Sequence, residues 1–260
     1  MKKINGISVY NYGNENNQSV VFVHGFPFDN SMWDKQVKAL KDNYHVITID
    51  LRGFNNSEVG DGQYTMEMFV DDLHNVIMEL NLSKPVICGL SMGGYITFRY
   101  AEKYGNVKAL VFSDTKAHSD PDSVKLNRSA GIKKINEYGV APFVSEFIPN
   151  TLAEKNKSNN HILDPLVIKA KTISPKTLKG ALIAMAMRTD TTAYLSKIDY
   201  PVLYICGEED KLTPVDTMRE LSNLTPGSLF EMIEEAGHLA PVENPERFNT
   251  VLENFLGGLE

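Results

Sequence analysis

Short apolar runs rich in β-branched residues recur along the chain, and most of them are followed by apolar residues at helical spacing. Strands of a parallel sheet that is covered by helices on both faces show this continuous apolar pattern. The runs cover residues 20–23, 45–49, 85–88, 107–112, 201–206 and 229–233. The stretch from Ile4 to Tyr12, with Asn5-Gly6 as its turn, predicts a hairpin that supplies edge strands. The pattern indicates an α/β fold with a mostly parallel sheet.

A long segment without any strand-like run lies between Phe112 and Pro201. It is too long for a simple crossover helix and indicates an inserted helical element. Residues 151–161 are polar and predict a loop, whereas Pro175 to Leu195 has a helical pattern. We expect one α/β core, formed by residues 1–115 and 197–260, that carries a helical cap of residues 116–196.

The composition is that of an ordinary globular protein, with 260 residues of which 42% are hydrophobic and 23% charged. The formal net charge of −7 provides no positive field for nucleic acid or anionic lipid, so we expect neither as a partner. The longest apolar run, Ala181 to Met187, is far below the roughly 20 residues that span a bilayer, and the basic start lacks the apolar stretch of a signal peptide. Cys88 and Cys206 lie inside strand-like runs, which suits a reducing cytoplasm.

The segment Gly89-Leu90-Ser91-Met92-Gly93 matches the pattern G-x-S-x-G. An apolar run leads into the motif and a helical pattern follows it, which is the strand-turn-helix context of a nucleophile elbow. The glycines are needed because the turn holds a non-glycine residue at strained backbone angles and leaves no room for bulk. The motif therefore predicts Ser91 as a nucleophile.

A serine hydroxyl is a weak nucleophile near neutral pH and needs a histidine base with an acid to orient it. Of the six histidines, His238 follows Ala236-Gly237 in a loop after the last strand-like run and is the better base, whereas His24 is expected to organise a turn. Asp210 and Asp114 both follow strands, where open α/β sheets place their sites. Asp210 is favoured because it completes the chain order Ser, Asp, His.

An oxyanion hole needs two backbone N–H donors directed at the charge that develops on the substrate. Met92, the residue after the nucleophile, supplies one. In the segment His24-Gly25-Phe26-Pro27, Phe26 is placed to supply the other after its strand, because Pro27 has no N–H.

Taken together, these residues resemble the α/β-hydrolase superfamily, nearest the bacterial group of carboxylesterases, 3-oxoadipate enol-lactonases and cofactor-free haloperoxidases. The motifs that carry the resemblance occur in the family's order. They are residues 24–27 with 31–33, 50–53, 89–94, 207–210 and 236–238. The resemblance implies an eight-stranded sheet, a cap over the pocket, and Cys88 and Cys206 on strands that another strand separates. One departure lies in residues 50–57, where the family often has D-x-R-G-x-G-x-S and this chain has Asn55-Asn56 in place of G-x; asparagine tolerates the positive φ that the turn needs.

The resemblance and the residues together predict a serine hydrolase that cleaves small carboxylic esters through an acyl-enzyme. No cofactor and no metal are expected. Candidate pocket residues are Phe28, Trp33, Phe143 and Met185. The sequence shows no paired arginines that would bind a dicarboxylate, which argues against a 3-oxoadipate lactone. Four alternatives remain open: an enol-lactonase, a C–C bond hydrolase with the same triad, perhydrolysis to peracids as a side reaction of the acyl-enzyme, and a ligand-binding receptor on this scaffold.

Overall fold

The computed structural model describes residues 1–259, which form one eight-stranded sheet with helices around it. The strands are β1 (Lys2–Ile4), β2 (Ile7–Tyr12), β3 (Ser19–Val23), β4 (His45–Asp50), β5 (Val86–Leu90), β6 (Ala109–Ser113), β7 (Val202–Gly207) and β8 (Leu229–Ile233). They lie in the order β1-β2-β4-β3-β5-β6-β7-β8, and β2 alone among these strands runs against its neighbours. The prediction of a mostly parallel eight-stranded sheet is confirmed.

Every residue of the central strands β3 to β7 is buried. Such burial requires cover on both faces of the sheet, as the continuous apolar runs predict. The helices are α1 (Asp34–Leu40), α2 (Met66–Glu79), α3 (Met92–Lys103), α4 (Asp122–Tyr138), α5 (Val140–Phe147), α6 (Asn160–Ala170), α7 (Pro175–Ala186), α8 (Thr192–Leu195), α9 (Val215–Leu224), α10 (Ala240–Glu243) and α11 (Pro245–Gly257). None of these helices within residues 1–259 is long and apolar enough to cross a membrane.

The opening hairpin turns at Asn5-Gly6, as the sequence predicts. Ile4 pairs with Ile7 across a two-residue turn, and both turn residues have positive φ, 47° for Asn5 and 82° for Gly6. Asparagine and glycine are the residues that adopt these angles at least cost, which explains the turn. The hairpin places β1 at the edge of the sheet.

The chain between β6 and β7 contains helices α4 to α8 and two short 3₁₀ turns, Ile148–Thr151 and Glu154–Asn156. Helix α4 packs on α5 and α7, which gives this segment a helical layer of its own. Part of residues 151–161, expected as a loop, is helical, because α6 begins at Asn160. The Asn159 side chain accepts the His161 N–H there and caps the helix.

Both cysteines are buried free thiols, Cys88 on β5 and Cys206 on β7, with β6 between them. Strands lie about 4.8 Å apart, so the two side chains are too distant for a disulfide. Burial raises the pKa of both thiols, which keeps them protonated and unreactive.

Candidate active site

Ser91 stands alone between the end of β5 and the start of α3, with φ 53° and ψ −113°. This backbone region is disfavoured for a residue with a side chain, so the surroundings must enforce it. A Cβ on Gly89 would collide with the Gly93 carbonyl oxygen, and one on Gly93 would collide with the Val23 carbonyl oxygen. The Ser91 N–H also donates to the Ser113 carbonyl oxygen of β6 at 3.0 Å. The sharp turn therefore depends on both glycines.

Three side chains from distant parts of the chain form one hydrogen-bonded series. Nε2 of His238 lies 2.8 Å from Oγ of Ser91, and Nδ1 of His238 lies 2.8 Å from Oδ2 of Asp210. Asp210 is held in turn, because Oδ2 accepts the Thr213 hydroxyl at 2.5 Å and Oδ1 accepts the Leu212 N–H at 2.8 Å. The arrangement leaves Asp210 one fixed orientation toward the imidazole.

The charges of the series favour a basic imidazole. Burial opposes ionisation of Asp210, but the charge and hydrogen bond of His238, with further hydrogen bonds from Thr213, outweigh it and lower the pKa of the carboxyl. Burial likewise disfavours the imidazolium of His238, but the charge and hydrogen bond of Asp210 outweigh it and raise the pKa of that histidine above 6.5. The aspartate can thus stabilise a proton that the imidazole accepts.

The loop that carries His238 is clamped by Glu243 of α10. Oε1 of Glu243 accepts the N–H groups of Gly237 at 2.9 Å and Leu239 at 3.2 Å, on either side of the histidine. The His238 N–H donates to the carbonyl oxygen of Thr151, the last residue of the 3₁₀ turn Ile148–Thr151, at 2.8 Å. Sequence reasoning missed Glu243, because nothing in the residues next to it in the sequence distinguishes it from the other aspartates and glutamates of the chain.

The expected oxyanion donors lie at two chain segments that meet beside Ser91. Met92 is the first residue of α3, so its N–H has no partner within the helix. Gly25, which precedes Phe26, approaches Ser91 so closely that a Cβ there would lie 3.3 Å from the serine Cβ. Within residues 1–259, neither the Phe26 nor the Met92 N–H donates a hydrogen bond. Both donors remain available to a ligand.

His24 holds the segment that carries Phe26. Its Nε2 accepts the Leu51 N–H at 2.9 Å, so Nδ1 carries the proton and donates to the Gly25 carbonyl oxygen at 2.9 Å. Burial lowers the pKa of His24, which keeps the ring neutral in this role. The histidine therefore joins the ends of β3 and β4 and lies outside the Ser91 series.

A cavity of about 470 Å³ opens at Ser91 and His238, and residues of helices α4, α5 and α7 line its other side. Two of the four expected pocket residues, Phe143 and Met185, line it. Phe26 joins them, and its ring contacts the Phe143 ring at 6.2 Å between centroids. One wall of the cavity is therefore aromatic and comes from both the segment after β3 and helix α5.

The other two expected pocket residues lie elsewhere. Trp33 is fully buried in the core, where its ring packs 4.8 Å from Phe22 and 6.3 Å from Phe248. It ends a 3₁₀ turn, Asn30–Trp33, whose inner side faces the sheet. Phe28 lines a separate cleft against α6. The expectation that these two residues contact the substrate is corrected accordingly, since neither lines the cavity at Ser91.

One group of potential metal ligands lies beneath the site: Asp114, Cys206 and Asp210, with ligand atoms within 4.8 Å of one another. Their atoms are already engaged. Asp114 accepts the Gly207 N–H at 2.7 Å, and Asp210 binds His238. The Cys206 thiol is kept protonated by burial. A neutral thiol and committed carboxylates are a poor donor set for a metal ion.

Comparisons with known proteins agree with the fold. The model of the alpha/beta hydrolase fold family matches residues 18–245. A putative non-heme chloroperoxidase of Synechocystis is 31% identical, over 92% of this chain and 91% of that protein. 3-Oxoadipate enol-lactonase 1 of Acinetobacter baylyi is 26% identical, over 98% and 94%. Among solved structures, a thermophilic esterase from Thermogutta terrifontis, with malate bound, is 33% identical with a TM-score of 0.92, over 97% and 93%. This chain belongs to the α/β-hydrolase fold family.

Proposed function

We propose that this protein is a serine hydrolase that cleaves carboxylic esters of small acyl or aryl groups through an acyl-enzyme intermediate. Ser91 Oγ attacks the ester carbonyl carbon while Nε2 of His238 takes its proton. Asp210 orients the imidazole and stabilises its charged form. The oxyanion that forms accepts hydrogen bonds from the N–H groups of Phe26 and Met92.

The tetrahedral intermediate then collapses, and His238 returns the proton to the leaving alcohol. The acyl group stays bonded to Ser91 until water, deprotonated by the same histidine, attacks it and releases the acid. All proton transfers use one imidazole, so the chemistry needs no cofactor or metal.

One observation carries the proposal. The imidazole of His238 bridges Ser91 and Asp210 with two 2.8 Å contacts, and the serine end of this series faces a cavity. Hydroxyl, imidazole and carboxylate in this order are the arrangement that makes a serine nucleophilic near neutral pH. The esterase among the structural relatives also supports ester hydrolysis.

A second function uses the same machinery on a cyclic ester. It is favoured by the relative described as an enol-lactonase, which matches nearly the full length of this chain. In a lactone the leaving alcohol stays attached to the acyl group, so no alcohol departs before water attacks.

A series of 4-nitrophenyl esters of increasing acyl length, assayed beside a panel of lactones, tests both functions. We expect turnover of short to medium esters and a decline for long chains that exceed the cavity. Faster turnover of lactones would assign the second function. If every ester and lactone is left intact while the ligands still bind, the proposal is overturned in favour of a receptor.

A further inference from the structure

The cavity at Ser91 has the opposite charge from the chain as a whole. The chain carries a formal net charge of −7. Yet three cationic residues, Lys116, Arg128 and Lys211, line the cavity, and among residues 1–259 no aspartate or glutamate does. Charged residues that line an otherwise apolar pocket generally fix the orientation or identity of the ligand.

Two of the three cations belong to a cluster around one buried carboxylate. Asp120 accepts a hydrogen bond from Nε of Arg128, and its other oxygen lies 2.8 Å from Nη1 of Arg188 and 3.5 Å from Nζ of Lys116. Burial opposes ionisation of Asp120, but the two arginines outweigh it and lower the pKa of the carboxyl. Three positive charges and one negative charge leave the cluster with a formal surplus of two positive charges.

Arg188 is the most deeply buried cation of the cluster. Its side chain is only 2% exposed, donates to the carbonyl oxygens of Met185 at 2.9 Å and His118 at 2.6 Å, and stacks 4.1 Å from the Tyr95 ring. Its two Nη groups donate to protein oxygens and the residue does not line the cavity, so Arg188 is unavailable to a ligand. The members of the cluster that line the cavity, and that a ligand can therefore contact, are Lys116 and Arg128.

These two side chains are partly exposed, and Arg128 keeps Nη2 free of the hydrogen bonds that its Nε and Nη1 make to Asp120 and Met185. Lys116 is 17% exposed and Arg128 is 14% exposed, and both line the cavity that contains Ser91. Lys116 has the 3.5 Å ion pair with Asp120 and, within the described residues, no hydrogen bond, so its ammonium donors are open. Lys211 differs, because it is 68% exposed and pairs with Glu154 at 3.8 Å, where solvent screens its charge.

We propose that the preferred substrates are esters that carry a free carboxylate, such as half-esters of dicarboxylic acids, and that Lys116 and Arg128 bind this carboxylate while Ser91 attacks the ester. The inference rests on the proposed ester hydrolysis and adds the substrate class. The covalent steps are unchanged: the same ester bond breaks and one water is consumed. A neutral substrate would cover the two cations without pairing them, which costs binding free energy that an anionic substrate regains.

Three 4-nitrophenyl esters of equal chain length test the proposal: the mono-ester of adipic acid, its terminal amide and the hexanoate. We expect kcat/KM for the anionic ester to exceed that for the amide by about ten- to hundredfold, since hydrogen bonds to charged groups are strong in partly buried sites. The preference should shrink as salt is added, because ions screen the attraction. Uncatalysed hydrolysis of each ester is subtracted.

K116Q is the decisive variant because it keeps both arginine contacts of Asp120. We expect K116Q to reduce the preference for the anionic ester about tenfold, and R128Q to reduce it as well. K133Q is the matched control, because it also replaces one lysine by glutamine. Lys133 lies on α4, pairs with Glu137 at the surface and does not line the cavity. K133Q should keep the full preference.

The outcomes separate this inference from the proposed function. Hydrolysis of the hexanoate with equal or slower turnover of the anionic ester would overturn the carboxylate preference and leave ester hydrolysis standing. A preference that survives in both K116Q and R128Q would overturn the assignment to these residues. Failure to hydrolyse any of the three esters would overturn the proposed function together with the inference.

Discussion

Two buried aspartates follow neighbouring strands at the same edge of the sheet, Asp114 after β6 and Asp210 after β7. Asp210 faces His238 at 2.8 Å, whereas Asp114 accepts the N–H of Gly207 at 2.7 Å and the hydroxyl of Ser113 at 2.7 Å. Both aspartates therefore lie at the end of a strand, but their hydrogen-bond partners differ. What a carboxylate faces decides whether it can serve a catalytic histidine.

The pKa values of the two carboxyls diverge for the same reason. Burial and the nearby charge of Asp210 raise the pKa of Asp114 well above its usual value. His238 and the hydrogen-bond donors around Asp210 overcome burial and lower its pKa. Two buried carboxylates this close cannot both ionise cheaply, so we expect Asp210 to be charged and Asp114 to carry a proton.

The loss of kcat in a serine variant is the reference with which the losses in the two aspartate variants are compared. We expect S91A to lower kcat for the best ester by about 10⁶-fold, because the covalent route is lost while binding and the oxyanion donors remain. Steady-state hydrolysis of a 4-nitrophenyl ester measures this. Retention of most of the activity would show that neither aspartate acts through this serine.

The largest contrast between the aspartates should come from their asparagine variants. D210N should lower kcat by about 10⁴-fold, since an amide next to Nδ1 favours the wrong histidine tautomer. The measurement is kcat for the same ester, with D114N as the matched control because it makes the identical change one strand away. A greater loss in D114N would reverse the assignment of the acid.

The pH dependence of kcat/KM reports the pKa of His238, which Asp210 contacts and Asp114 does not. Because His238 must be neutral to accept a proton and its pKa is raised above 6.5, kcat/KM should fall about tenfold per pH unit below that pKa. A protonated Asp114 carries no charge, so D114N should leave this limb in place. Displacement of the limb to lower pH in D114N would show that Asp114 is ionised.

The smallest expected effect is on the pH dependence of the free energy of unfolding, and it depends on Asp114 alone of the two aspartates. Its folded-state pKa lies above the unfolded value near 3.8, so the folded protein binds the extra proton between these two values. Stability from this group is present below pH 3.8 and is lost as the pH rises through the folded pKa. Urea unfolding followed as the pH rises above 3.8 should therefore show a flatter decline in D114N than in the unaltered protein. Identical slopes would contradict a raised pKa.

Much of the fold could be read from short-range patterns. The apolar runs, the Asn5-Gly6 turn and the strand-turn-helix context of Ser91 each depend on residues within a few positions of one another, where backbone angles and side-chain period are encoded directly. The chain order of Ser91, Asp210 and His238 further selected the three side chains that the structure joins.

Contacts across the cap could not be read in this way. The sequence showed no paired arginines, yet Arg128 and Arg188, 60 residues apart, converge on Asp120. Trp33 was expected at an apolar pocket because it is close to the core motifs, and it lies in the core instead. Neither outcome follows from local pattern, since each depends on how helices distant in the chain pack.

The sequence by itself determined the order of strands and helices along the chain, the strained turn at Ser91 and the identity of the groups that could act with it. The tertiary structure alone decided which of two strand-end aspartates faces His238, which aromatic rings line the cavity and where its positive charge collects. The physical reason is range: turn and periodicity preferences act between neighbours, whereas burial, hydrogen-bond partners and charge depend on elements that meet only after folding.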